Sequence, residues 1–381
     1  MDLTLSDEQR LLRESADRFV GETCTADHRR KAAAEPNGFS AATWKQFAEL
    51  GWLALPIAEE YGGLGGGAIE IGILMEAFGR GLVSEPYLST VVIGAGLIGT
   101  SGSEAQKQAL LPKVADGSLY LAFAHAERAA RFDLDKVETT AAKTPNGFRL
   151  SGHKIAVLDG QAADQIIVSA RLVSANGSSG KLCLFLVPAG APGMTLRDYP
   201  RLGGGHACSL DLRDVQLPAD ALLGDGSDAL PAIEAVTDRA MAALGSEAVG
   251  IMQTLLDTTL EYTKIRKQFG RPLSANQVIR HRLADMAMQC DEARSMALRA
   301  ALMADAEPVA RGRAASGAKA KIGNCARFVA EQSVQLHGAM GVTEELDIGL
   351  YFKRLLAFDT LFGGSAHHYR RHAVLGGRAQ G

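Results

Sequence analysis

Helical periodicity at both ends of the chain, with a central block of short apolar runs between them, predicts a mainly helical α+β protein built in three units. The expected units are a helical domain over 1–118, a small antiparallel β domain over 119–226 and a helical bundle over 227–381. A dinucleotide-binding α/β fold is excluded on two grounds. Neither half alternates strand with helix, and no glycine cluster follows a strand as a Gly-x-Gly-x-x-Gly fingerprint requires.

The chain opens with helix. Ser6 followed by Gln9 is a capping-box start, and Leu11, Leu12, Ala16, Phe19 and Val20 then recur at helical spacing. Further helical patterns cover about 40–50, 67–80 and 104–115, punctuated by the glycine-rich segment Gly62 to Gly67 and by Pro86. From about 120 the pattern changes to strand-like runs at 121–124, 148–150, 166–170, 182–187 and 209–215. Asn146-Gly147, Gly177-Ser178-Ser179-Gly180 and Pro192-Gly193 supply the turns between them. After Gly226, Ala242, Val249, Met252, Leu256 and Leu260 mark one helix face, and long patterns follow over about 275–302 and 310–338.

Composition narrows the function classes. With 381 residues, 47% of them hydrophobic, the chain can bury a sizeable core. A formal net charge of −3 with mixed signs leaves no electrostatic footprint for nucleic acid. Cys24, Cys183, Cys208, Cys290 and Cys325 form no CxxC pair, which suits reduced thiols in a cytoplasmic protein and argues against a metal site. The segment Met1 to Ser6 has no basic stretch followed by an apolar one, and no run of about 18 apolar residues occurs, so neither export nor a membrane span is expected.

Three motifs fall in order along the second half: Arg266-Lys267-Gln268-Phe269-Gly270-Arg271-Pro272-Leu273, His281-Arg282-Leu283-Ala284-Asp285-Met286, and Gln335-Leu336-His337-Gly338-Ala339-Met340-Gly341. An acidic glycine loop, Glu59 to Gly65, precedes them. Together they resemble the acyl-CoA dehydrogenase family over nearly the whole chain. The resemblance implies an N-terminal helical domain, a middle β-barrel-like domain and a C-terminal four-helix bundle, commonly assembled as tetramers. It also implies FAD as cofactor, an acyl-CoA thioester as substrate and an electron-transfer flavoprotein or similar acceptor as redox partner.

Carried over position by position, the resemblance gives Arg266, Gln268 and Phe269 to the neighbouring subunit's flavin, the arginine pairing with pyrophosphate. Gln335, Gly338 and Ala339 match the loop that holds the adenosine end, with Ala339 in place of a second glycine and tolerable there if its backbone is ordinary. The plain alternatives are a helix-capping role for Arg266, where a cation meets the negative dipole end, and a simple helix-ending loop at 335–339. His337 and Met340 are expected only to pack.

Other family features are missing. The base segment, Tyr-Glu-Gly-Thr in the family, reads Phe362-Gly363-Gly364-Ser365, so the usual base position is Gly363. The flavin-contacting run of the middle domain becomes Ala126 to Asp133 without its hydroxyls and glycines, and Trp-Ile-Thr becomes Ala156-Val157-Leu158. Some members carry the base on the first long C-terminal helix, at the position of Ala240, which is also empty. Asp238 and Glu247 lie nearby. Glu247 is seven residues beyond Ala240, roughly on the same helix face, and is a candidate base with a raised pKa unless an arginine such as Arg80 neutralises it. His367 and His368 lie beside the missing base, one conceivable as a proton acceptor, both expected at a surface or interface; Arg370, Arg371 and His372 extend a basic end that could meet CoA phosphates.

Features serving a neighbour's flavin are present and those serving the chain's own are degraded. That pattern suggests a subunit of a heteromeric acyl-CoA dehydrogenase, resembling the small subunit of pimeloyl-CoA-type enzymes of bacterial dicarboxylate, lipid or steroid breakdown. Two rivals are a homo-oligomer using Glu247 as base, and a non-catalytic scaffold of the same fold.

Overall fold

The computed structural model describes residues 4–173, 179–343 and 346–378. Ser6 caps α1 (Asp7–Thr23) through the reciprocal pair its sequence implies: its Oγ accepts the Gln9 N–H at 3.2 Å, and the Gln9 side chain accepts the Ser6 N–H at 3.0 Å. The helical domain continues with α2 (Ala26–Ala34), α3 (Ala41–Glu49), α4 (Ala68–Gly81), α5 (Gly96–Ser101) and α6 (Glu104–Ala115). Its core is aromatic: Phe47 stacks on Phe78 at 4.9 Å, with Trp52 and Tyr87 against them.

Between α4 and α5, Tyr87–Ala95 winds as a π-helix, a form the sequence did not announce. Every residue in it except Leu88 is buried, so no amphipathic period exists to read. The segment is anchored by side chains, Ser89 Oγ donating to Asp159 at 2.6 Å and Thr90 Oγ1 to the Leu121 carbonyl at 3.1 Å.

The middle domain is one curled seven-stranded sheet: β1 (Leu121–Ala124), β2 (Thr140–Thr144), β3 (Gly147–Leu158), β4 (Gln165–Val173), β5 (Ser179–Pro188), β6 (Met194–Pro200) and β7 (His206–Pro218). It is mixed, not purely antiparallel as expected. β1 and β2 both run parallel to β4, end to end along one side of it, while β5 pairs antiparallel on the other. β3 is the crossover that lets β2 and β4 run parallel: it returns antiparallel to β2, so the chain re-enters the sheet at β4 in the direction of β2. β2 and β6 escaped sequence reading since they carry polar, half-exposed faces with no apolar run. Of the expected turn at 177–180, residues 177 and 178 lie outside the described residues; Ser179 and Gly180 open β5.

The C-terminal domain is built on α7 (Leu230–Ile265), α8 (Gln277–Leu302) and α9 (Pro308–His337), with the shorter α10 (Ile348–Thr360) and α11 (Ser365–Arg378) packed along α9. A two-residue hairpin, β8 (Lys267–Gln268) with β9 (Arg271–Pro272), leaves the end of α7. Where α4 crosses α7, glycines face backbone reciprocally. A Cβ on Gly79 would stand 2.0 Å from the Glu247 carbonyl oxygen, and one on Gly250 1.9 Å from that of Glu76. The two helices therefore touch backbone to backbone, which fixes the height of Glu247 against the helical domain.

Asp238 on α7 is buried and receives Arg311 Nε from α9 at 3.1 Å and Arg371 Nη1 from α11 at 2.7 Å. It is a structural clamp across three helices. Asp238→Asn should cost about 2 kcal/mol, by removing the charge from two charge-assisted hydrogen bonds, measurable as a lower thermal unfolding midpoint. No helix among the described residues is long and apolar enough to cross a membrane.

Candidate functional site

Two helix ends meet at one surface cleft. α7 stops at Ile265, where the Arg266 N–H still donates to the Tyr262 carbonyl at 2.8 Å, and α9 stops at His337, followed by Gly338 at φ +61°. The His337 ring stacks on Tyr262 with centroids 4.3 Å apart, tying the ends together. The cleft between them, about 260 Å³, is lined by Arg266, Gln268, Gln335, Gly338 and Ala339 along with Tyr262 and His337.

Thus the two motifs, separated by some 60 residues of α8 and α9, become one site. The side chains of Arg266, Gln268 and Gln335 are exposed and have no hydrogen-bond or ion-pair partner among the described residues. A Cβ at Gly338 would meet nothing within 4 Å, so the backbone there is open to a ligand. Ala339 has ordinary backbone angles, so its methyl group costs nothing. Phe269 is not in the cleft: it sits at the hairpin tip at φ +52° and is 99% exposed.

At the other end of the bundle, Gly363 follows α10 with φ +109°. The buried Lys319 of α9 donates to the Gly363 carbonyl at 2.9 Å and the Asp359 carbonyl at 3.1 Å, and lies 4.4 Å over the Phe358 ring. Burial pushes its pKa down to about 8. The His367 ring takes the space that a side chain at 363 would need, its Cδ2 only 2.8 Å from a Cβ built there. The same ring also packs near Phe132, centroids 5.4 Å apart.

His368 departs from the expected surface position. It is buried, its Nε2 donates to the Phe362 carbonyl at 3.1 Å, and its Nδ1 has no partner. Burial, with Lys319 nearby, pushes its pKa down to about 3, so it is neutral. Of the basic run on α11, Arg371 is committed to Asp238 and His372 Nδ1 donates to the Arg313 carbonyl at 3.0 Å, which leaves Arg370 as its exposed member.

Glu247 lies in the wall of a cavity of about 560 Å³ between α4, the π-helix, α7 and α10. Its partner is Arg354 of α10, with Nη2 at 2.6 Å and Nε at 2.8 Å. The expected partner, Arg80, pairs instead with Glu76 at 2.8 Å and Asp17 at 3.7 Å, because it faces α1 from the far side of α4. Leu158 and Asp159 at the end of β3 line the same cavity, whereas Ala240 is packed in the core.

The stretch from Ala126 to Asp133 serves the sheet. The Glu127 carboxylate accepts from Thr139 Oγ1 at 2.6 Å, the Glu138 N–H at 2.7 Å and Lys154 Nζ at 2.7 Å. Burial works against its charge, but Lys154 holds its pKa below the usual range, while burial pushes Lys154 itself down to about 8. This pair and Lys319 were not found from the sequence. A lysine in a strand or helix of small residues was their only signal.

Comparison with known proteins gives three consecutive family matches: the N-terminal domain of acyl-CoA dehydrogenase over 6–118, the middle domain over 122–215 and the C-terminal domain over 232–373. A probable acyl-CoA dehydrogenase of Bacillus subtilis, YngJ, is 32% identical, covering 91% of this chain and 92% of its own. Among solved structures, the Tcur3481-Tcur3483 steroid ACAD superposes with a TM-score of 0.88 at 29% identity over 99% of both chains. The ChsE4-ChsE5 complex from Mycobacterium tuberculosis gives 0.85 at 27% over 97% of both. On these grounds the chain belongs to the acyl-CoA dehydrogenase family, FAD-dependent oxidoreductases acting on CH–CH donors.

Proposed function

We propose that this chain is a subunit of an acyl-CoA dehydrogenase that lends its Arg266 cleft to a flavin held mainly by a second subunit, which also supplies the base. The supporting observation is the cleft: one unpaired arginine, two free carboxamides and an open glycine, beside a phenylalanine projecting fully into solvent. These residues fit the nucleotide end of FAD. Arg266 offers a planar pair of donors for pyrophosphate, Gln268 and Gln335 offer amide donors and acceptors, and Gly338 allows close backbone approach. Phe269, standing 99% exposed at a hairpin tip, suits burial against another chain.

The chain's own ring-binding side fits less well. Ala126 to Asp133 presents no hydroxyl, Leu158 replaces a hydroxyl-bearing residue, and the His367 and Phe132 rings meet beside Gly363. When bound, FAD accepts the β-hydrogen of the acyl thioester as hydride while a base removes the α-proton. In this reading Arg266, Gln268 and Gln335 orient the cofactor, and Gly363 contributes no proton acceptor. The assembly is a tetramer in the cytoplasm that releases an enoyl thioester, with an electron-transfer flavoprotein or similar acceptor taking the electrons from the reduced cofactor. The three units divide at about 118 and 226.

A second reading makes the chain an autonomous homo-oligomer with Glu247 as base, and its support is the position of Glu247 in the larger cavity. The Arg354 ion pair weighs against it, since the carboxylate is already engaged by a guanidinium in a largely buried site.

Flavin stoichiometry decides between them. The chain purified alone should carry little FAD, and the co-expressed assembly should carry it, with Arg266→Gln lowering retention roughly tenfold through loss of charge-assisted bonds. Roughly one FAD per chain in the isolated protein, unaffected by Arg266→Gln, overturns the shared-site reading.

A further inference from the structure

The larger cavity holds a cation with no ion-pair partner. Each carboxylate in its wall already has a partner: Glu247 is held by Arg354, Asp359 by Arg327 at 2.7 Å, Asp159 by Ser89 Oγ at 2.6 Å, and Glu85 by the N–H groups of Ser40 at 3.3 Å and Ser84 at 3.2 Å. Burial raises the Glu85 pKa, which moves that group further towards neutrality. Arg201 has none. No carboxylate among the described residues lies within ion-pair distance of it, and its Nε is sealed from solvent without a hydrogen-bond partner. A guanidinium left so is costly, and a carboxylate is the group that satisfies it in two parallel hydrogen bonds.

The setting fixes where that carboxylate would come from. Arg201 is held over the turn it belongs to: its N–H donates to the Gly205 carbonyl at 2.9 Å, and a Cβ on Gly205, at φ +73°, would lie 2.6 Å from its Nη2. Arg354 reaches the carbonyls of the same turn, Gly203 and Gly204, at 3.4 Å. The cavity extends along α10 from Arg354 to Leu361, two residues before Gly363. That is roughly 10 Å at 1.5 Å per residue, walled by Phe78, Leu88, Leu244, Ile251 and Phe358. Apolar side chains line its length, and the arginine without an ion-pair partner stands at one end.

We infer that this cavity takes an apolar chain ending in a carboxylate, with the carboxylate at Arg201. The inference rests on the family reading only for the kind of chain, an acyl group, and not on where the flavin is held. The carboxylate can belong to a free carboxylic acid or to the far end of an acyl-CoA.

Calorimetric titration of the assembled protein with two matched pairs, octanoate against octanamide and suberoyl-CoA against octanoyl-CoA, separates these sources. In at least one pair the member with the extra carboxylate should bind about tenfold tighter or more, and Arg201→Gln should abolish that preference while Arg201→Lys retains part of it. Equal binding within both pairs, or a preference that survives Arg201→Gln, overturns the assignment. So does an equal loss of affinity for free CoA in Arg201→Gln, which would make the arginine a phosphate reader. Circular dichroism of each variant establishes that the fold is intact. Flavin content is unchanged in Arg201→Gln if the shared-site reading holds, so each proposal can fail without the other.

Discussion

Replacing Gly250 with alanine should destabilise the protein by about 4 kcal/mol, the largest effect expected of any single methyl group here. The new Cβ would lie 1.9 Å from the Glu76 carbonyl oxygen and 3.1 Å from the Arg80 backbone nitrogen. Backbone on both sides leaves no rotamer to yield, so α4 and α7 must separate along their whole contact. Gly79→Ala should behave alike, its Cβ meeting the Glu247 carbonyl at 2.0 Å. Gly99→Ala in α5 is the control, because a Cβ there meets nothing within 4 Å; it should be neutral or stabilising by up to about 1 kcal/mol. Thermal unfolding should show the first two falling by roughly 8 °C or more and the third unchanged or raised. Similar midpoints for Gly250→Ala and Gly99→Ala would mean that the helices are not in backbone contact.

Glu247→Gln is the second, and it separates structure from chemistry at one atom. The exchange keeps the shape but leaves Arg354 in a largely buried site facing a neutral amide. Breaking a buried pair from one side should cost about 3 kcal/mol, because the remaining charge keeps its desolvation penalty. Turnover by the assembled enzyme, measured below the unfolding range, should stay within about twofold of the parent, since proton abstraction is assigned to the partner. A fall in kcat of several orders of magnitude with little change in unfolding would reverse both statements and make Glu247 the base.

Much of this architecture was legible because burial on one side imposes a period. The helices at 41–49 and 104–115 came within a residue or so of their expected ranges, each having an exposed polar face to contrast with the core, and the helix at 68–81 did so although Ile73 to Gly79 are all buried, because glycines punctuate its start. Where the contrast vanishes, so does the signal. The π-helix is nearly all buried, and β2 and β6 are short, mixed in polarity and largely exposed or half-exposed. Pairing direction in the sheet was illegible for a different reason: β1 and β2 owe their parallel alignment with β4 to the path of the chain between each of them and β4, not to their own residues.

The same distinction runs through the sites. Gln268 and Gln335 were recognisable as motif members, but their meeting depends on two helices ending at the same height, which the stacking of His337 on Tyr262 secures. The partner of Glu247 was misassigned because Arg80, on α4 itself, turns towards α1, while Arg354 reaches Glu247 from α10, a helix far away in sequence. Arg201 gave no sign at all. An arginine in a glycine-rich turn reads as solvated charge, and only the pairing of every other charged group around the cavity makes it conspicuous.

The corner at Gly363 bears on how such a chain could change. A glutamate introduced there would have to adopt φ +109°, a backbone conformation that L side chains rarely take, and its first carbon would collide with the His367 ring. That ring is in turn confined between Phe132 and the buried His368. Regaining a carboxylate at this position therefore takes coordinated changes at 363 and 367 at least, with intermediates that are worse than the starting point. The arrangement works as a ratchet: a lineage that reaches it does not regain a carboxylate at 363 by any single substitution.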